Sequence, residues 1–247
     1  MRVCVLYTGG KDSHYALLKV LETGHEVVCL ATAAPRRGDS YMFHSVNVKW
    51  SLLHGEAMGL PQHLVETSGE KEVEVEEFYR ELKPLVMRYG VEGLVSGAVS
   101  SVYQKSRLDK MAEALGVRHL APLWGRDHVE LLREEVAKIR FVITATMALG
   151  LSERHLCAVV DEKMAEEIIA LARRYGFSPV GEGGEYESYV VESPLFAIDI
   201  VAEPRWRPSG WGVCEIKEAK IRRGQRAGSS FPGRGNSMSA SSWAPRH

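Results

Sequence analysis

Cysteine is scarce in this sequence, long apolar runs are absent, and neither sign of charge prevails. Only four of the 247 residues are cysteine, and Cys4, Cys29, Cys157 and Cys214 form no CxxC pair. The spacing of a zinc site or a dithiol redox motif is therefore missing. Cys4 and Cys29 stand inside apolar runs and are expected in the core. No apolar run approaches the roughly 20 residues that a membrane-crossing helix needs. The first residues lead directly into a short aliphatic stretch, without a basic segment and a signal-length apolar region, so the expected setting is the reducing cytoplasm and no membrane. Lys plus Arg number 31 against 32 for Asp plus Glu, a formal net charge of −1. Such a balance gives no case for direct nucleic-acid binding, and it leaves a homo-oligomer open.

What is present is a repeated βα rhythm. Short β-branched or aliphatic stretches end at glycine or a polar cluster and give way to helical patterns, with strands expected at about 3–7, 26–32, 63–65, 93–96 and 119–121. Leu108, Met111, Ala112 and Leu115 fall at i, i+3, i+4 and i+7. Phe78, Leu82, Leu85, Val86 and Tyr89 make a similar stripe, which Pro84 should kink. Asp127 with Glu130 has the form of a capping box. The expectation is an α/β fold over residues 1–140, a parallel sheet with helices on both faces, whose ligands sit beyond the carboxyl ends of the strands. Residues 141–222 change rhythm and suggest a smaller α+β domain. Residues 223–247, rich in Gly, Ser, Pro and Arg, are expected to be a disordered tail.

The first strand runs into Thr8-Gly9-Gly10-Lys11-Asp12-Ser13, with a helix expected from about Ser13. Paired glycines let the backbone approach a ligand, and the N–H groups of a helix N-terminus attract an anion. Thr8 and Ser13 add hydroxyls, Lys11 adds a positive charge, and Asp12 can hold Mg2+ or orient Lys11. The segment is not a Walker A loop, because Val5 stands where the first glycine belongs and Asp12 follows the lysine. A glycine turn with a solvated lysine is the alternative. The hexapeptide resembles the SGGxDS signature of the PP-loop, or N-type ATP pyrophosphatase, superfamily, with threonine in place of the first serine. That resemblance implies a Rossmann-like fold of the HUP/PP-loop kind, ATP cleaved to AMP and pyrophosphate, and an adenylated substrate then attacked by a nucleophile.

A second glycine segment, Gly181-Glu182-Gly183-Gly184-Glu185-Tyr186-Glu187, carries three carboxylates. If Glu185 and Glu187 begin a strand, they share a face. They can then bind a cation, coordinate Mg2+ or take a proton; a solvated hairpin turn is the other reading. Together with Asp39-Ser40-Tyr41-Met42-Phe43-His44, Tyr103-Gln104 with Arg107, and Pro122-Leu123-Trp124-Gly125-Arg126-Asp127, this segment resembles the diphthine–ammonia ligase family over roughly residues 1–222.

That resemblance implies amidation of diphthine on translation elongation factor 2, with ATP, Mg2+ and free ammonium, since no glutaminase segment is recognisable. Lys11, Asp12, Ser13, Glu185 and Glu187 become the expected catalytic set. Thr8, Gly9, Gly10, Thr32 and Arg107 join the loop in holding ATP. His44, Tyr103, Trp124, Arg126, Glu182, Gly183, Gly184 and Tyr186 are expected on the substrate side, where carboxylates and aromatic faces suit a trimethylammonium group. Core packing is the alternative for Trp124 and Tyr186. The rival functions are a tRNA-modifying PP-loop ligase and a non-catalytic ATP sensor.

Overall fold

The computed structural model describes residues 1–35, 42–70 and 73–222. The proposed tail and the Asp39-Ser40-Tyr41 part of one quoted segment lie outside them. Five parallel strands, β1 (Arg2–Leu6), β2 (Glu26–Pro35), β3 (Gln62–Thr67), β4 (Gly93–Val95) and β5 (Arg118–Leu120), form one sheet in the order β3-β2-β1-β4-β5. The connecting helices are α1 (Lys11–Glu22), α2 (Met42–Met58), α3 (Val73–Tyr89) and α4 (Val102–Leu115). All five expected strands are present, and β1 shows why they were readable: Val3, Cys4 and Val5 are all buried, as a strand covered on both faces demands.

Two apolar layers flank the sheet. Cys4, Cys29, Leu82, Leu94 and Met111 pack together on the side of α3 and α4, which accounts for the two apolar cysteines. Pro84 lies inside α3, which continues through it. The ends of α4 are fixed locally, by Ser101 accepting from the Gln104 N–H and by Gly116 at φ 71. Asp127 caps α5 (His128–Lys138) by accepting from the Val129 and Glu130 N–H groups.

Beyond α5 the expected α+β unit appears. Strands β6 (Arg140–Thr146), β7 (Tyr186–Ser193), β8 (Phe196–Arg207) and β9 (Trp211–Ile221) close into an antiparallel barrel, with α6 (Glu162–Tyr175) inserted between β6 and β7. The other face of the sheet and the barrel share a single core, which runs from Tyr7 and Leu17 through Phe141 to Tyr186, Val190 and Phe196. Helix α2 adds polar ties: the Trp50 Nε1–H donates to the Ile216 carbonyl at 3.0 Å, and the Tyr189 hydroxyl to the Trp50 carbonyl at 2.9 Å. Cys157 and Cys214 form a disulfide across 57 positions of sequence. Their spacing gave no sign of it, and it runs against the expectation of a reducing environment. Among the described residues no helix is long and apolar enough to cross a membrane.

Candidate active site

The β1–α1 loop lies at the carboxyl end of the central strand, where the crossovers diverge toward the two sheet edges. Gly9 has φ 83, and a Cβ there would stand 3.0 Å from the Ser51 Cβ. Helix α1 begins at Lys11, two residues before Ser13, and Gly10 offers no side-chain cap. The loop is wired by its own hydroxyls. The Thr8 N–H donates to Ser13 Oγ at 3.2 Å, the Gly10 N–H to Thr8 Oγ1 at 3.2 Å, and Ser13 Oγ–H to the Gly10 carbonyl at 3.0 Å. Strand β7 supports it from the barrel: the Val190 N–H donates to the Gly9 carbonyl at 3.0 Å, and the Lys11 N–H to Ser188 Oγ at 3.1 Å.

In front of the loop opens a cavity of about 590 Å³, of a size suited to a nucleotide. Thr8, Asp12 and Ser13 line it together with Ser96, Gly97 and Ser101, while Ala31, Ala33, Val75, Phe78, Leu108 and Met111 supply apolar walls. Polar donors joined to an apolar slot fit a phosphate-bearing aromatic ligand. Tyr103 and Arg107 also line it, with the guanidinium carbon 3.3 Å from the tyrosine ring centroid. Thr32 acts behind the wall: buried, it donates to the Tyr7 carbonyl at 2.6 Å and accepts from Gln62 at 2.9 Å. Gly97 brings the β4–α4 turn against α1, since a Cβ there would lie 2.7 Å from the backbone of Asp12 and Ser13.

Lys11 does not face the cavity as a solvated cation. Its ammonium is buried, 2.6 Å from Asp12 and 3.0 Å from Glu135. Burial alone would lower its pKa, but the two carboxylates outweigh that and hold it above its ordinary value. Burial raises Glu135 well above the usual carboxylate range, against the pull of Lys11. Glu135 gave no sequence signal. The same holds for a buried triad beneath the loop, in which the Tyr7 hydroxyl meets His14 Nδ1 at 2.9 Å and His54 Nδ1 at 3.1 Å. Desolvation lowers both histidines, His54 to about 3.

The acidic segment forms a turn between α6 and β7, with Gly181 at φ 75 and Gly184 at φ 85. The Glu182 carboxylate accepts the N–H groups of Val99, Ser100 and Ser101 at 2.8, 2.6 and 2.9 Å. Burial opposes its charge, yet the Ser100 hydroxyl, which donates to its other oxygen, and those three amides hold its pKa below the ordinary range. Glu185 precedes β7 rather than sharing a strand face with Glu187; its carboxylate accepts from Ser178 N–H at 3.1 Å and Gly183 N–H at 2.7 Å. Glu187 lies within β7, paired with Ala145. Tyr186 is buried, its hydroxyl donating to the Pro179 carbonyl at 2.8 Å and its ring 5.9 Å from the Lys11 ammonium. Lys105 stands 5.5 Å from the Trp124 ring, and Arg126 pairs with Glu134. His44 belongs to α2, but its side chain is outside the described set. Asp12 and Glu74 are the carboxylates on the cavity wall, with Asp12 the one in the β1–α1 loop, and no cluster of three or more His, Cys, Asp or Glu suited to a metal occurs among the described residues.

A family model described as the diphthamide synthase N-terminal domain matches residues 1–119, and the diphthamide synthase C-terminal domain matches residues 127–221. The chain belongs to the diphthamide synthase family. Within that family it is similar to the diphthine–ammonia ligase of Homo sapiens, 35% identical over 223 residues, which are 82% of this chain and 83% of the human one. The Mus musculus ligase is 36% identical over 224 residues, with the same two shares. The Schizosaccharomyces pombe ligase is 32% identical over 236 residues, 88% of this chain and 39% of a longer protein. Both the β1–α1 loop and the acidic turn fall inside the residues that the two family models match.

Proposed function

We propose that this diphthamide synthase family member is a diphthine–ammonia ligase, which activates the diphthine carboxylate of translation elongation factor 2 with ATP and converts it to an amide with ammonium. The observation that carries the reading is the splice between β7 and the phosphate loop through Val190, Gly9, Ser188 and Lys11. It brings β7, the strand that follows the acidic turn, against the loop proposed to hold ATP, which supports a reaction between two substrates.

The carboxylate oxygen attacks the α-phosphorus of ATP, and the bond to the pyrophosphate oxygen breaks. The uncapped amide end of α1 and the Thr8 and Ser13 hydroxyls stabilise the charge on the departing pyrophosphate. Lys11 works from behind the loop, holding Asp12 against the buried Glu135. Asp12 is the residue placed to hold Mg2+, whose charge would offset that of the phosphates. Neutral ammonia then attacks the acyl carbon, AMP leaves with the electron pair of the broken bond, and Glu187 is the candidate acceptor of the extra proton. Trp124 is the candidate aromatic face for the trimethylammonium group, whereas the Tyr103 ring already carries the Arg107 guanidinium. A cytoplasmic setting follows from this substrate, and the Cys157–Cys214 bond pulls against it.

The test is incubation with ATP, ammonium and diphthine-bearing elongation factor 2, followed by mass measurement of the factor and detection of AMP. Amide formation matched by AMP release is the expected result. AMP release without amide, or amide without ATP, overturns the reading.

A further inference from the structure

Glu182 belongs to a turn whose other bonds stay within the barrel unit: the Gly184 N–H donates to the Gly181 carbonyl, the Gly183 N–H to the Glu185 carboxylate, and the Met147 and Ala148 N–H groups to the Glu185 carbonyl. Gly181 and Gly184 adopt positive φ, and Gly183 between them has no side chain. The turn is part of the barrel unit, yet the Glu182 carboxylate reaches the β4–α4 turn of the sheet unit. There it accepts three backbone N–H groups and, at its second oxygen, the Ser100 hydroxyl. These donors follow directly on Ser96, Gly97 and Ala98 in the cavity wall, and Ser101 both lines the cavity and caps α4. The amide end of α4 offsets the carboxylate charge. Only 11% of the side chain is exposed.

A carboxylate engaged by four donors is poorly suited to receive a quaternary ammonium group. Such a cation offers no N–H of its own, and meeting it would draw the carboxylate away from amides left without partners. We infer that Glu182 is a positioning residue, which clasps the acidic turn to the rim of the nucleotide cavity, and not a ligand of the substrate's cation. This rests on the ligase reading for its kinetic consequence, while the clasp itself can be measured without any substrate.

The test compares Glu182→Ala and Glu182→Gln in the full chain. Glutamine keeps an oxygen that can accept the Val99 to Ser101 amides but has no charge. In the alanine variant, hydrogen exchange at Val99 to Ser101 and Gly183 to Glu185 should quicken about tenfold or more, as expected for lost charge-assisted bonds. Amidation kcat should fall by about the same factor, with KM for ATP within about twofold of wild type. Glutamine should recover most of both. If glutamine is as damaging as alanine to the KM for diphthine-bearing factor while exchange stays at the wild-type rate, Glu182 meets the cation and the inference is overturned. Should alanine prevent folding, glutamine alone decides by the same two readouts. If wild type makes no amide, the ligase reading fails, and exchange in the variants still tests the clasp.

Discussion

The Lys11 ammonium stands 3.0 Å from a Glu135 carboxylate oxygen, with the lysine side chain 1% exposed and the glutamate 0%. A lysine in a loop proposed to hold phosphates is expected to reach for the ligand; this one is anchored to α5. Removing it strands a buried carboxylate, so Lys11→Met should cost ~3–5 kcal/mol and reduce AMP formation. Adding Glu135→Leu should return most of the stability. Urea denaturation of the two variants measures this, and a single variant as stable as wild type would show that the pair contributes nothing.

The backbone contact at Gly97 makes a second prediction. A methyl group there meets the α1 N-terminus at 2.7 Å and cannot be relieved by a side-chain rotation. Gly97→Ala should destabilise the fold by ~1–3 kcal/mol through overpacking. It should also weaken ATP binding, because the loop is pushed from its seat. Titration calorimetry giving wild-type affinity would contradict the contact.

Acid should act through the buried histidines. His14 and His54 remain neutral in the folded protein, with His54 lowered to about 3, whereas an unfolded histidine takes up a proton near pH 6.5. The contribution of His54 is complete above that pH and is lost as pH falls toward 3, at about 1.4 kcal/mol per pH unit, and His14 acts in the same direction. Between pH 4.5 and 6, where, roughly, carboxylates are still ionised, His54→Gln should flatten the stability slope by about one such increment. An unchanged slope in denaturation series across that window would assign the acid sensitivity elsewhere.

Reduction of Cys157–Cys214 opens a link across 57 positions and should lower stability by ~2–4 kcal/mol. Denaturation with and without reductant, alongside Cys157→Ser, checks the figure. A reductant effect that persists in the serine variant would point to another thiol.

The sheet was legible because burial on both faces writes itself into the sequence as unbroken aliphatic runs, as at Val3 to Val5. Helix α4 was equally plain, since Leu108, Met111, Ala112 and Leu115 fall on one stripe. Helix α1 starts two residues ahead of the expected Ser13: Lys11 and Asp12 look in sequence like solvent-facing charges, and the partner that buries Lys11 comes from α5. Glu182 and Glu185 looked free to meet a ligand for the same reason. Their partners are backbone N–H groups, which every residue except proline carries and which no pattern advertises. Barrel closure and the disulfide were hidden because both depend on where β9 returns in space. His54 was hidden by its setting, a helix whose polar residue happens to face inward between Tyr189 and Phe196.

The core that joins Tyr7 to Phe141 and Phe196 packs sheet and barrel into one body, and turning one against the other would expose it to water. A ligand that touches both the β1–α1 loop and the acidic turn therefore meets two segments anchored in the same packed interior.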